Sequence, residues 1–180
     1  MMVDSVSAMA REVAVNKVDM MRKEGTVESA GYAGLFGEAG LALPDAHWID
    51  RANRQLPPNL SALGAKFIDC SRIERWLRVS YEPGPRASNL LQVTGGAIAE
   101  MLDQTAAYCG SLVTGFPCPT LSMTVTILRG GTAKSYIARA RLLNVTTANA
   151  VLSADLDDDA GMRIASITVV SQLVTLNRLG

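Results

Sequence analysis

The chain has 180 residues, of which 48% are hydrophobic and 19% are charged, and its 17 basic residues balance 17 acidic ones. This composition excludes an intrinsically disordered chain, and zero net charge without a cluster of Lys or Arg argues against nucleic acid as a partner. No stretch reaches the ~20 apolar residues of a transmembrane helix, and the first residues, MMVDSVSAMAREVAV, carry charges where a signal peptide needs an apolar run. The sequence therefore predicts a soluble cytoplasmic protein with no membrane partner.

The first 60 residues predict a helical and irregular N-terminal extension, residues 1–60. A helical period of apolar residues follows Asp4, a candidate N-cap. Residues 31–40 show no regular pattern, and Asp45 is predicted to cap a short helix over 46–55 that the proline pair after it ends. The apolar positions of the first helix are Val6, Met9, Ala10 and Val13.

From Leu63 onward the pattern changes to strands with one inserted helix. The helix is predicted over 97–112, with 3–4 spacing along one buried face. Short connections favour antiparallel neighbours, so residues 61–180 predict an α+β domain in which one long helix packs on one antiparallel sheet. The strand patterns cover 66–70, 75–81, 121–127, 135–145, 149–156 and 162–174. The predicted buried face of the helix is Ile98, Met101, Leu102, Thr105, Cys109 and Leu112.

Residue types that usually carry metal or nucleophilic chemistry are scarce. Cys70, Cys109 and Cys118 form no metal-ligand spacing, and an odd number without a secretion signal indicates reduced thiols. Cys109 and Cys118 are predicted to be core or near-core thiols. His47 is the only histidine, and beside Trp48 it is predicted to pack rather than to catalyse. No nucleophile elbow, metalloprotease motif or nucleotide-binding loop is present. An enzyme with this sequence would use a carboxylate, hydroxyl groups and backbone dipoles, with no metal and no cofactor.

The start of the long helix carries the best candidate site. Gly95 and Gly96 allow close approach of a ligand, and the first helical turn offers free N–H groups suited to an oxyanion or a polarised carbonyl. Asp103 lies seven residues after Gly96 on the same side of the helix, among small residues that indicate close packing, with another subunit as one occupant. The spacing alone leaves a catalytic acid and a surface carboxylate equally open. The small residues are Gly96, Ala99, Ala106 and Gly110.

An acidic run over 155–159 followed by Gly161 has some features of a calcium loop. The glycine falls one place late, and Ser166 stands where a bidentate Glu is required. The run therefore predicts a solvated hairpin turn.

Two segments, LLQVTGGAIAEMLDQTAAYCG and PTLSMTVTILRGG, together with the strands that follow, resemble the hotdog-fold acyl-CoA thioesterases. The group they resemble is the phenylacetate-degradation, 4-hydroxybenzoyl-CoA thioesterase-like type, over about residues 60–175. The resemblance implies a long helix wrapped by a curved antiparallel sheet. It also implies a homodimer or homotetramer with active sites at the dimer interface, and hydrolysis of an acyl-CoA to free acid and CoA.

The same resemblance implies roles for five residues at the helix and around it. Asp103 would be the general base or the nucleophile, and the N–H groups at Gly95 and Gly96 would polarise the thioester carbonyl. Thr120 aligns with a hydroxyl residue that orients water in some members. Asn89 resembles an asparagine near the thioester but lies one residue closer to the glycines than usual.

Four further residues are implied in substrate binding. Thr94 stands where the family commonly has a histidine. Arg129, Gly130 and Gly131 resemble an Arg-Pro turn near the CoA phosphates, with the proline replaced.

Two alternatives stay open. The first is a hotdog hydratase or dehydratase. Such enzymes resemble a design that pairs a histidine with an acid, and His47 lies outside the matched region. A non-catalytic acyl-CoA-binding or regulatory module is favoured by Thr94 and by the N-terminal extension. Asp103 argues against that module, because binding alone does not need a carboxylate beside an electron-rich thioester. The extension itself is expected to form a lid or an added packing layer.

Overall fold

The computed structural model describes residues 34–175, so the helix predicted after Asp4 lies outside the described residues. The helices are α1 (Gly37–Leu41), α2 (Asp45–Arg54), α3 (Pro58–Ala62) and α4 (Gly95–Thr114), with one turn of 3₁₀ helix at Pro85–Ala87. The strands are β1 (Lys66–Ser71), β2 (Trp76–Tyr81), β3 (Thr120–Ile127), β4 (Tyr136–Val145), β5 (Asn149–Asp158) and β6 (Arg163–Gln172). Between residues 34 and 175, none of the helices combines the length and the apolar character needed to cross a membrane.

The six strands form one antiparallel sheet in the order β1-β2-β4-β5-β6-β3. Short turns join β4 to β5 and β5 to β6, so these strands are neighbours, as the sequence predicted. The long connection that contains α4 separates β2 from β3 and carries β3 to the far edge of the sheet. The predicted α+β class is confirmed, with every predicted strand within two residues of an observed one.

Helix α4 packs across one face of the sheet, which is called the inner face below. Every residue of its predicted buried face is at most 1% exposed. On β2, Leu77, Val79 and Tyr81 alternate with half-buried residues and point to the helix, because successive strand residues face opposite ways. The Tyr81 hydroxyl donates to the Met101 carbonyl (3.0 Å) and lies 2.8 Å from Thr105 Oγ1, which fixes β2 to the middle of α4.

Helix α2 belongs to the same core. Trp48 is fully buried and meets the rings of Phe67 on β1 and Tyr108 on α4 edge-on, at centroid distances of 5.9 and 6.4 Å. Its indole N–H donates to the Leu35 carbonyl at 3.1 Å. Such aromatic pairs each contribute about 0.5–1.5 kcal/mol beyond their burial. Through these contacts the described part of the N-terminal segment forms a packing layer on the domain.

Three predictions in this N-terminal layer are wrong. Residues 31–40 were expected to be irregular, but α1 begins within them. Asp45 is the first residue of α2 and not its cap; the N-cap is Pro44, and the Asp45 carboxylate instead forms an ion pair with Arg72 (3.2 Å). His47 was expected to pack, but it is exposed, since the buried side of α2 is formed by Trp48, Ile49 and Ala52.

The proline pair has a second role that the sequence did not predict. Helix α2 ends at Arg54, and Pro58 then begins α3. Proline fits the first helical position because its missing N–H would have no helical partner there and its φ is already helical.

Candidate active site

The N-terminus of α4 presents two free backbone donors. Thr94 is the N-cap, and its Oγ1 accepts from the Ala97 N–H at 3.2 Å. Its own N–H donates to the Ala87 carbonyl at 2.9 Å. The N–H groups of Gly95 and Gly96 have no partner within residues 34–175, and both glycines are exposed. They lie at the positive end of the helix dipole, which suits a carbonyl oxygen that gains negative charge.

The space above these donors is open in the single chain. A Cβ placed on Gly96 would meet nothing within 4 Å, and one on Gly95 would meet only Ile127 Cδ1, at 3.1 Å. Side chains larger than hydrogen would therefore fill the space in which a ligand could approach the N–H groups. Ile127, at the end of β3, forms one apolar wall of that space.

Two helical turns further on, Asp103 and Thr120 form a hydrogen-bonded pair. The Thr120 hydroxyl donates to Asp103 Oδ1 at 2.6 Å, and both residues are half-buried. A short bond from a hydroxyl to a carboxylate holds the carboxylate in one orientation. Oδ2 of Asp103 accepts no hydrogen bond from any residue of the range 34–175.

The segment after β3 lies beside the residues that precede α4. The Val93 N–H donates to the Gly131 carbonyl at 2.8 Å, and these two residues form an isolated β-bridge. Gly131 is buried, where a Cβ would stand 3.0 Å from the Tyr136 hydroxyl. The Gln92 side chain covers Gly130, because a Cβ placed on this glycine would stand only 1.9 Å from Gln92 Oε1. The bridge thus brings the Arg129–Gly131 segment next to Thr94.

No protein-family model and no curated protein sequence matches this chain. Solved structures do match it. The Escherichia coli PaaI protein of the phenylacetic acid degradation operon has a TM-score of 0.64 at 19% identity, over 72% of this chain and 94% of PaaI. A putative thioesterase of Ralstonia eutropha, a phenylacetic acid degradation-related protein, has a TM-score of 0.64 at 24% identity, over 69% and 98%. A Streptococcus mutans protein bound to acetyl-CoA has a TM-score of 0.56 at 18% identity, over 61% and 88%.

This chain has the hotdog fold. The predicted resemblance to phenylacetate-degradation thioesterase-like proteins is confirmed at the level of that fold. Within the hotdog fold, α4 is the central helix and the six strands form the sheet that wraps it.

The central helix of the hotdog fold separates the two candidate groups. Asp103 lies seven residues after Gly96, and at 1.5 Å per residue the donors and the carboxylate are about 10 Å apart along the axis. The donors and the carboxylate are therefore two separate candidate groups on one helix.

The small residues around Asp103 have two different surroundings. Gly110 is buried, and a Cβ there would stand 2.9 Å from Cys118 Sγ. Ala106 is also fully buried within the chain. The expected close packing at these two positions comes from this chain itself and not from another subunit, because both residues are buried in the single chain. Only Gly96 and Ala99 stay accessible.

Asn89 shapes the loop before α4. Its Oδ1 accepts from the N–H groups of Leu91 and Gln92, both at 2.9 Å, and its own N–H donates to the Gln92 carbonyl, also at 2.9 Å. The residue is exposed, and its proposed place near a thioester stays a prediction. The loop's tip is formed by Leu90 and Leu91, which sequence reasoning did not single out.

The buried cysteines and the acidic run take no part in the contacts of the site. Cys118 and Cys109 are buried core thiols, as predicted, and desolvation raises the pKa of Cys118 to about 11 and that of Cys109 further. The end of the acidic run, Asp158 and Asp159, forms the predicted hairpin turn between β5 and β6, where Asp158 Oδ1 accepts from the N–H groups of Ala160 and Met162. Asp155 and Asp157 lie in β5. Arg129 is exposed beside the glycines, and Gln92 had no sequence signal beyond its place two residues before the cap.

Proposed function

We propose that this protein is a cytoplasmic acyl-CoA thioesterase, which hydrolyses an acyl-CoA to the free acid and CoA. One observation carries the proposal: the central helix of a hotdog fold begins with two free glycine N–H donors and bears, two turns later, a carboxylate held by a threonine hydroxyl. The first group suits the carbonyl oxygen of a thioester. The second suits the water or acyl carbon that must react with it.

The Gly95 and Gly96 N–H groups bind the thioester oxygen. As the carbonyl carbon becomes tetrahedral, the oxygen gains negative charge, and preorganised backbone donors stabilise that charge without reorganisation. Removal of one such donor typically costs about 10²–10³-fold in kcat. The glycines are needed because only hydrogen leaves the N–H groups accessible.

Asp103 supplies the base or the nucleophile. As a base, it accepts a proton from water while the water oxygen bonds to the acyl carbon; the C–S bond then breaks, and the CoA thiolate takes up the proton. As a nucleophile, its oxygen bonds to the acyl carbon and expels the thiolate, and water then opens the resulting anhydride. Thr120 fixes the carboxylate in either case, and Asn89 is proposed to lie near the thioester.

The 10 Å between donors and carboxylate implies that two copies build each site. If two α4 helices lie antiparallel about a two-fold axis, Gly95 of one chain comes opposite Asp103 of the other. The donors of each chain then face the carboxylate of the other chain, which gives two complete sites. The protein would then be a homodimer, or a homotetramer of two such dimers.

The edge of the sheet supports this assembly. Among the strands of residues 34–175, β3 pairs with β6 alone, and its inner-face residues Met123 and Ile127 are about half exposed, although their β6 neighbours are buried. Leu121 and Leu128 at its two ends are 58% exposed. A long apolar edge strand is a liability in a monomer and typical of an interface.

The CoA moiety is proposed to bind on the rim formed by Thr94, Arg129, Gly130 and Gly131. Arg129 is exposed and can reach a phosphate, for which guanidinium is well suited. The two glycines have no side chains that would project from this rim, and Gln92 covers Gly130.

Measurement of thiol release from acetyl-, hexanoyl-, dodecanoyl- and phenylacetyl-CoA tests the activity. We expect at least one of these to be hydrolysed, with release that depends on Asp103. A purified, folded protein that releases thiol from none of them contradicts the proposal.

A mixing experiment tests the shared site. Gly95→Pro removes one donor N–H but fits the first helical position, and Thr94 already has the extended backbone (φ −66°, ψ 151°) that a following proline requires. Gly95→Pro and Asp103→Asn should each be nearly inactive alone. Co-refolded in equal amounts, they should recover about a quarter of wild-type activity, because each mixed dimer contains one intact site. No recovery would mean that both groups act within one chain.

A further inference from the structure

The loop between the 3₁₀ turn and α4 carries an apolar tip that the catalytic groups do not use. Leu90 is 103% exposed and Leu91 is 85% exposed, so neither side chain is covered by the part of the chain that the structure describes. Single exposed leucines are common on protein surfaces, but two adjacent and fully exposed ones beside a candidate site need an explanation.

This tip is held in place by its own hydrogen bonds. Asn89 closes the turn through its backbone and its Oδ1, and Ser88 forms a β-bridge with Val93. Val93 is in turn bridged to Gly131. The leucines are therefore presented on a preorganised hairpin whose base is the N-cap region of α4, so little conformational entropy is lost when a ligand covers them.

The distance from the donors limits what can reach the tip. Leu91 lies four residues before Gly95, so the two Cα atoms are at most about 14 Å apart. An acyl group whose carbonyl oxygen is held by the Gly95 and Gly96 N–H groups starts at the base of this hairpin, beside Ile127. A linear chain of roughly ten carbons, with C–C bonds of about 1.5 Å, spans that upper bound, whereas an acetyl group adds one carbon beyond the carbonyl.

We propose that Leu90 and Leu91 are specificity-determining residues that cover the distal part of the acyl chain, and that the substrates are medium- and long-chain acyl-CoAs rather than acetyl-CoA. This inference rests on the proposed thioesterase function. The leucine tip selects chain length because each methylene it covers adds binding that a shorter chain lacks.

The test is the chain-length profile of Leu90→Ser/Leu91→Ser, measured as kcat/KM with acetyl-, hexanoyl- and dodecanoyl-CoA. Both side chains project out of the fold, so the variant should fold normally. The ratio of kcat/KM for dodecanoyl-CoA to that for acetyl-CoA should fall by about tenfold or more, mainly through KM. Leu90→Met/Leu91→Met keeps an apolar tip and should keep the wild-type ratio.

Ile73→Ser is the matched control. Ile73 is 89% exposed in the turn between β1 and β2, next to Arg72, which binds the opposite end of α4. Loss of this exposed apolar side chain should leave the ratio unchanged.

Each other outcome has a definite meaning. An unchanged ratio in the double serine variant, or a wild-type preference for acetyl-CoA, overturns the inference while the thioesterase function stands. A uniform loss with all substrates, accompanied by a smaller mass in light scattering, would show that the tip is a contact between copies. Absence of hydrolysis by the wild type would overturn the proposed function itself.

Discussion

The two halves of α4 have opposite surroundings. From Gly95 to Asp103 the helix keeps exposed glycines at its start and half-buried polar residues along one side. From Thr105 to Thr114 every residue is buried except Ala107 and Val113, which are partly buried. The same helix thus has one end open to ligand and one end enclosed by its own chain. The difference indicates that the enclosed half provides the rigidity on which the open half positions its donors and its acid.

The enclosed end is held by side-chain and backbone bonds from the N-terminal layer. The Arg72 guanidinium donates to the carbonyls of Leu112 (3.1 Å), Gly40 (2.9 Å) and Leu43, and so joins α4 to the segment around α1. The Gly37 N–H donates to the Gly115 carbonyl at 2.7 Å. The Leu112 and Gly115 carbonyls lie at the C-terminus of α4, where the last carbonyls of a helix have no helical partner.

The largest expected effect is at the open half. Asp103→Asn keeps the size of the side chain but removes its charge and basicity. Because the donors at Gly95 and Gly96 stay intact, substrate should still bind, and kcat should fall by about 10²–10⁴-fold, with little change in apparent affinity. Steady-state thiol release measures both.

Glu100→Gln is the control for the aspartate variant. Glu100 lies three residues earlier, about 60° around the helix, and accepts a hydrogen bond from Asn59 Nδ2 at 3.1 Å. It should lose far less activity. Equal losses in the two variants, or full activity of a well-folded Asp103→Asn, would remove Asp103 from the mechanism.

The next effect is at the enclosed half and concerns stability. Arg72→Met removes donors from three carbonyls, and burial already lowers the pKa of this guanidinium, although the neighbouring Asp45 opposes that change. The free energy of unfolding should fall by about 2–4 kcal/mol, as measured in urea, because the carbonyls and Asp45 lose a charged partner. Hydrolysis per folded molecule should stay near the wild-type rate.

Arg78→Met is matched to the Arg72 variant in chemistry but not in burial. Arg78 pairs with Asp69 on the outer face of the sheet, where the two side chains are 40% and 39% exposed. An exposed pair contributes about 1 kcal/mol at most. If both arginine variants lost the same stability, the enclosed end of α4 would not depend on Arg72.

Two glycine variants compare the halves directly. At Gly110, an added Cβ would stand 2.9 Å from Cys118 Sγ and 3.4 Å from Leu152 Cδ2, so Gly110→Ala should destabilise by about 1–2 kcal/mol after its better helix propensity is counted. At Gly96 the space is open, so Gly96→Ala should leave stability unchanged or raise it by up to about 1 kcal/mol. Its methyl group should nevertheless lower hydrolysis about tenfold or more, because it displaces the carbonyl from the donors. Thermal unfolding and thiol release together distinguish the two positions, and a reversed pattern would contradict the assignment of the halves.

Periodicity predicted the framework of the fold because its causes are local. The 3–4 spacing of Ile98, Met101 and Leu102 defines the buried face of α4, and strict alternation defines strands such as β3. Hydrogen bonds that depend on tertiary geometry, such as those from Arg72, had no such signal in the sequence. The carbonyls that accept from Arg72 exist at every position of any sequence, so nothing marked Leu112 or Gly40 as its partners.

The candidate site was predictable only in part for the same reason. The glycine pair and Asp103 were found by their spacing and by resemblance, whereas the bond from Thr120 to Asp103 was not predicted, and the roles of these residues stay predictions. The cover that Gln92 forms over Gly130 depends on the Val93–Gly131 bridge, which brings together segments almost 40 residues apart. Proline at position 58 was read as the end of a helix because its ring stops a helix interior, whereas here it begins one.

The smallest expected effect tests whether the enclosed half is sealed from water. Burial raises the pKa of Cys118 from 9.0 to about 11, so the native state keeps a thiol proton that the unfolded chain loses. The stability that this proton provides is complete below pH 9 and is lost as the pH rises through about 11. Between pH 8 and pH 10, this thiol should therefore lower the free energy of unfolding by about 1 kcal/mol.

Comparison of wild type with Cys118→Ala isolates the contribution of this thiol, because the cavity left by the substitution costs the same at both pH values and only the titration changes with pH. The stability difference between the two proteins should shrink by about 1 kcal/mol from pH 8 to pH 10. A difference that does not change with pH would mean that water reaches Cys118, and that the second half of α4 is less enclosed than its packing indicates.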